Sequence, residues 1–182
     1  FTLVDCLKTP LVEKLIVEAT LLLPPDLAGR QENARTPLSL RLACELRDHD
    51  PNLYVDSSLE NSHCDHRLRL LINSDIHTRH AIASQPFAII ERETGCHAEE
   101  WQEHYREMPV DIETSEGIIA VAEAGKALVV NSRGMKEFQI IGDAPATVAL
   151  TLFKSTGVLG RSDLDWRPGR ASGINNTVVH TP

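Results

Sequence analysis

Aromatic side chains are scarce: two Trp, two Tyr and four Phe make up 4% of 182 residues. A flat row of exposed rings for stacking sugars therefore has little material to draw on. Runs of Lys or Arg are missing, and 26 Asp and Glu against 18 Lys and Arg leave a formal net charge of -8. That balance excludes nucleic acid or an anionic membrane as an expected partner, because both call for clustered positive charge. No apolar run nears the roughly 18 residues of a membrane helix; the longest, Leu11 to Leu23, is interrupted by Glu13, Lys14 and Glu18. Cys6, Cys44, Cys64 and Cys96 form neither a dense disulfide framework nor a CxxC pair, which points to a reducing, cytoplasmic setting. GxSxG, Walker and GxGxxG motifs are absent, and Gly157-Val158-Leu159-Gly160 lacks the Lys of a phosphate loop. The chain begins at Phe1 with neither an initiator Met nor a signal pattern, which reads as the interior of a longer gene product.

What is present is alternation. Hydrophobic residues make up 42%, enough for a chain of this length to bury roughly 70% of its unfolded surface and fold alone. From Leu38 to Leu46 every second residue is apolar, which on a pleated strand sends one face to a core and the other to water. Leu53 to Glu60 repeats the pattern after a turn signal at Asp48-His49-Asp50-Pro51-Asn52, so the two predict a hairpin. Further strands are expected at Leu11 to Leu23, Arg67 to Ile72, Pro86 to Glu91, Gly117 to Val121, Ala127 to Asn131, Lys136 to Ile141 and Ala146 to Phe153. About nine short strands with one short helix, Ala98 to Arg106, predict an all-β antiparallel sandwich or barrel. The tail from Gly157 to Pro182 reads as an extended segment over the sheets, and nothing in the sequence gives a reason to divide 1–182 into domains.

Few residues offer chemistry. His63-Cys64-Asp65-His66, with His77, His80 and Cys96-His97 downstream, supplies zinc-type donors. Neighbours on a strand point to opposite faces, however, so a polar strand end with Cys64 buried is the favoured reading and no metal site is expected. Glu91, Glu93, Glu99, Glu100, Glu103 and Glu107 read as a solvated face rather than as the facing carboxylates of a glycosidase. Arg79 and His80, just ahead of Ser84-Gln85-Pro86-Phe87, suggest a polar loop over a ligand. Arg161, Arg167 and Arg170 in the tail fit loop carbonyls and carboxylates better than an anion site.

Three runs resemble a known family: Ser57 to Leu70 (SSLENSHCDHRLRL), Ser84 to Arg92 (SQPFAIIER) and Asn131 to Phe138 (NSRGMKEF). They look like the C-terminal β-domain of glycoside hydrolase family 38 α-mannosidases, the mannosylglycerate hydrolase branch most of all. Leu150-Thr151-Leu152-Phe153, Gly157 to Arg161 and Arg167-Pro168-Gly169-Arg170 are similar to that branch's ending. The resemblance covers most of Ser57 to Gly173.

It implies a sandwich of large antiparallel sheets (a supersandwich, galactose-mutarotase-like), with 1–182 as one C-terminal domain of a larger retaining enzyme. That enzyme would hydrolyse α-mannosides, 6-phosphomannosylglycerate or mannosylglycerate among them. Its divalent metal, usually zinc, and its Asp nucleophile would lie in an N-terminal domain outside these residues, so no catalytic residue, metal or cofactor is expected here. The carbohydrate substrate would be met through the catalytic domain, and a homo-oligomer is open. Arg79, His80, Ser84, Gln85 and Phe87 are the candidates for an edge of the substrate pocket. Many family members carry an aspartate near this loop where this chain has Ile82-Ala83-Ser84-Gln85. The competing class is a self-contained carbohydrate-binding sandwich.

Overall fold

In a computed structural model, which describes residues 1–95, 101–105, 108–158 and 175–181, the chain is all-β. It divides into two compact units, Phe1–Asp65 and His66–Pro182, where the sequence offered no reason for a division. Among the described residues no helix is long and apolar enough to cross a membrane.

The first unit is a four-stranded antiparallel sheet in the order β1-β2-β3-β4. Its strands are β1 (Thr2–Lys8), β2 (Val12–Leu23), β3 (Thr36–Arg47) and β4 (Leu53–Leu59). The β2–β3 ladder is unbroken from Val12↔Arg47 to Leu23↔Thr36, and its connection contains the short helix α1 (Leu27–Gln31). Pro24 and Pro25 end β2, since proline cannot donate to a ladder. Asp26 then caps the helix, accepting the Gly29 N–H at 2.7 Å. The expected β3–β4 hairpin forms as read, its turn held by Asp50, which accepts the Asn52 N–H at 2.9 Å and the Tyr54 hydroxyl at 2.8 Å.

The register separates two faces, because paired residues project to the same side. On one, Lys14, Glu45 and Arg47 form ion pairs, and the Arg47 guanidinium lies 4.1 Å over the Tyr54 ring. The other is apolar, with Ala19, Leu38 and Leu40 buried.

The second unit is a sandwich of two antiparallel sheets. One has the order β10-β9-β6-β7: β6 (His80–Gln85), β7 (Ala88–Glu93), β9 (Ile118–Glu123) and β10 (Lys126–Asn131). The other is five-stranded, built on the long β12 (Thr147–Val158), which pairs β5 (His66–Asn73) along one edge. Its other edge carries β11 (Glu137–Ile141) and β13 (Asn175–Thr181), and β11 pairs β8 (Ile112–Thr114). Between the sheets, Ala81, Ala83, Ile119 and Val121 pack with Phe138, Ile140, Val148 and Leu150 in one buried cluster that also takes in Ile76 and Ala146. Alternate residues of each strand supply it, as a period of two requires.

Thirteen strands lie among the described residues, against about nine expected. The additional ones are β1, β6, β8 and β13. Strand β6 departs most from expectation: a polar loop is expected at Arg79 and His80 and again at Ser84 to Phe87, and His80–Gln85 is a strand between two neighbours. Its inward residues Ala81 and Ala83 are too small to stand out in a hydropathy pattern. The expected helix survives as α2 (Trp101–His104), the rest of Ala98 to Arg106 lying partly outside the described residues.

Candidate functional site

The five residues expected at a substrate edge sit on β6 and the hairpin that follows it. Arg79 and His80 are at its start; Ser84 and Gln85 are its last two residues. At about 3.4 Å per residue the two groups stand roughly 17 Å apart at opposite ends of the strand.

Each end is occupied by local bonding. The Arg79 Nε is 3.0 Å from Asp143 Oδ2, and the Arg79 carbonyl accepts the Thr94 N–H at 2.6 Å. The His80 N–H donates to Thr78 Oγ1 at 3.1 Å. At the far end Ser84 Oγ accepts the Ile118 N–H at 2.9 Å and lies 3.3 Å from Ser115 Oγ. The Gln85 amide donates to the Thr114 carbonyl. Phe87 closes the β6–β7 turn with φ of +67°, left-handed backbone that a non-glycine residue seldom adopts, and its ring is fully in solvent. Phe87 and His80 are both exposed, and the hydrogen bond at His80 is made by its backbone N–H.

A buried polar cluster beneath this end was not foreseen. Ser115 (1% exposed) donates to the Ile118 carbonyl at 2.8 Å and accepts the Gly117 N–H at 3.0 Å. Ser132 takes the Gly117 carbonyl through its own N–H at 2.8 Å. Gly117 has φ of +133°, which fits glycine and bends the chain into β9. The signals were the short polar punctuations Ser115-Glu116-Gly117 and Asn131-Ser132-Arg133-Gly134.

The His63 to His66 run does not converge on one point. His63 is 2% exposed, with its Nε2 2.8 Å from Thr36 Oγ1 and its Nδ1 3.1 Å from Ser62 Oγ. The Cys64 N–H donates to the Pro25 carbonyl at 2.7 Å. His66 lies on β5, edge-on to the Phe153 ring at 5.3 Å. Among the described residues no three His, Cys, Asp or Glu side chains form a metal-holding group; Cys96 and His97 lie outside the described residues. His77 donates its N–H to Glu123 Oε2 at 2.8 Å.

Glu91 and Glu93 share one exposed face of β7, while Glu103 is exposed on α2; Glu99, Glu100 and Glu107 lie outside the described residues. Arg92, on the opposite face of β7, pairs with Glu113. The shifted carboxyls all move downward. The Arg47 hydrogen bond lowers Glu45, the Asn52 N–H lowers Asp50 and the Lys126 ammonium lowers Glu123. For Glu137 burial pushes up, but hydrogen bonds from Lys154 and Thr151 outweigh it. A general acid in glycoside hydrolysis needs the reverse, a raised pKa; these groups act as ion-pair and hydrogen-bond acceptors. A shallow depression lined by Glu18, Ser39, Arg41, Ser58 and Glu60 crosses β2, β3 and β4 and is open to water. Arg161, Arg167 and Arg170 lie outside the described residues.

The fold defined by the described residues is all-β and antiparallel. A protein of Halalkalibacterium halodurans, provisionally named mannosylglycerate hydrolase, is 26% identical over 146 residues, 78% of this chain and 14% of that protein. The crystal structure of an alpha-mannosidase from Enterococcus faecalis V583 shares the fold over 86% of this chain and 19% of that one, with a TM-score of 0.73 at 18% identity. A glycosyl hydrolase family 38 protein from Enterococcus faecalis superposes over 92% of this chain and 20% of its own, with a TM-score of 0.70 at 17% identity. No protein-family profile matches. The resemblance read from the sequence is thus borne out: the chain resembles a β-domain of family 38 α-mannosidases, and it spans a fifth or less of the length of the proteins it matches.

Proposed function

We propose that residues 1–182 are a non-catalytic C-terminal β-sandwich domain of a larger retaining α-mannosidase. The observation that carries this reading is the likeness over most of this chain to a small part of much longer glycosidases. The whole enzyme hydrolyses α-mannosides, with mannosylglycerate the substrate suggested by the name of the Halalkalibacterium halodurans relative and its 6-phosphate one implied by the family resemblance. A divalent metal, zinc by the family resemblance, and a carboxylate pair belong to its N-terminal domain. A cytoplasmic location fits Cys6, Cys44 and Cys64, which are thiols rather than disulfides.

Within that enzyme the β6–β7 hairpin lends an edge to the substrate pocket through Ser84, Gln85 and Phe87, with Arg79 and His80 at the strand's other end. The assay compares the 182-residue chain with the parent polypeptide on an aryl α-mannoside and on mannosylglycerate with and without the 6-phosphate. Turnover by the parent and none by the chain is expected. Turnover by the chain alone, or a parent inert toward all three, overturns the reading. Arg79→Ala and Gln85→Ala in the parent should raise KM; unchanged binding and turnover would remove these residues from the pocket edge.

The solvent-exposed Phe87 ring favours a second reading, a self-contained carbohydrate-binding sandwich. Saturable calorimetric binding of mannosides by the chain, lost in Phe87→Ala, would select it.

A further inference from the structure

The apolar face of the β1–β4 sheet can be followed row by row through the strand register. Leu21 opposes Leu38, and Ala19, Leu40 and Leu59 form the next row. Then come Leu3, Val17, Leu42 and Ser57; then Cys6, Leu15, Cys44 and Val55; then Lys8, Glu13, Leu46 and Leu53. A register shift between Leu3 and Asp5 puts Leu3 and Cys6 on the same side although they are three apart, as a bulge does.

Burial changes along these rows. Ala19, Leu38 and Leu40 are 4%, 1% and 8% exposed, whereas Leu3, Leu15, Leu46, Leu53 and Val55 are 59%, 42%, 48%, 57% and 41% exposed. Charge is confined to one corner, where Lys8 and Glu13 pair at 2.5 Å. A sheet with one apolar face is stable when that face is covered.

We infer that rows three to five of this face, from Leu3–Val17 to Leu46–Leu53, are the surface on which an apolar, uncharged part of the longer polypeptide packs. The inference rests on the reading that 1–182 is part of such a polypeptide. Two observations favour this occupant over a second copy of the chain. The matched proteins carry four-fifths or more of their length outside the matched region, and a segment on the same polypeptide acts at high effective concentration. The exposed rows span three strand spacings and four residues, about 14 Å by 14 Å, on the order of 200 Å², far below the roughly 800 Å² per partner of a stable dimer.

Cys6 and Cys44 lie in the middle row and flank Leu15, so their thiols report on cover. Cys64 lies off these rows and serves as the reference. Peptide-resolved labelling with N-ethylmaleimide, on the 182-residue chain and on the intact parent, reads the rates. We expect Cys6 and Cys44 to react at least about tenfold more slowly in the parent, relative to Cys64, as covered sites do. Equal relative rates would overturn the inference. So would slow labelling in the chain alone that tracks dimer mass by light scattering, which assigns the face to a second copy. Leu46→Lys supplies an independent readout: it should lower the melting temperature of the parent while leaving that of the chain unchanged, and equal effects in both would overturn the inference. A parent active on mannosides with Cys6 and Cys44 unprotected sinks the inference alone. A parent inactive but protected sinks the enzymatic reading alone.

Discussion

Ser84 Oγ accepts the Ile118 backbone N–H at 2.9 Å, so a side chain at the proposed pocket edge also ties the end of β6 to the start of β9. Ser115 stands 3.3 Å away and is buried. Ser84→Ala should cost about 1 kcal/mol, the usual net value of such a bond. Ser115→Ala should cost more, about 1–3 kcal/mol, because it strands the buried Gly117 N–H. Urea unfolding of the chain measures both; a Ser115→Ala midpoint equal to wild type would contradict this assignment.

Phe138 and Phe87 make a matched pair of opposite environments. Phe138 is 1% exposed between the two sheets of the second unit, and Phe87 is fully exposed at a turn. Phe138→Ala should destabilise by about 3–5 kcal/mol through lost transfer energy and a cavity, whereas Phe87→Ala should fall within about 0.5 kcal/mol of wild type. Chemical denaturation separates them, and a large loss in Phe87→Ala would show that its ring is covered.

Glu137 gives the acid limb of stability a named contributor. Burial raises its carboxyl pKa, but Lys154 Nζ at 2.8 Å, Thr151 Oγ1 at 2.8 Å and Arg67 Nη1 at 3.2 Å bring it below its ordinary value. A carboxyl whose folded pKa is depressed contributes fully above its unfolded value, about 4.3, and loses that contribution as pH falls through the folded pKa. The melting temperature should therefore hold between about pH 7 and pH 5 and drop below about pH 4. Glu137→Gln should be less stable at neutral pH and show a shallower acid drop. An identical acid drop in the variant would transfer the effect to other carboxyls.

How far the sequence could be read depended on side-chain size and on where a strand's partner lay. Leu38 to Leu46 and Leu53 to Glu60 announced a hairpin because large apolar residues alternate across a local turn, and the structure pairs them as read. Strand β6 was illegible because its inward residues are Ala81 and Ala83. Strand β8 was missed because it pairs with β11 rather than with a neighbour in sequence. The candidate edge residues were legible as polar types. Their separation to the two ends of β6, and the absorption of Ser84 and Gln85 into backbone hydrogen bonds, were not.

By itself the amino-acid order determined the class of the fold, the two-residue period that gives each strand a wet and a dry side, and the likeness to one family of glycosidases. These are local properties, carried by spacing and by short runs. Tertiary structure alone decided which apolar side chains are covered. Leu40 and Leu46 lie on one side of one strand, 8% and 48% exposed, and no local pattern distinguishes them, because burial depends on what distant chain segments bring to each end of a sheet.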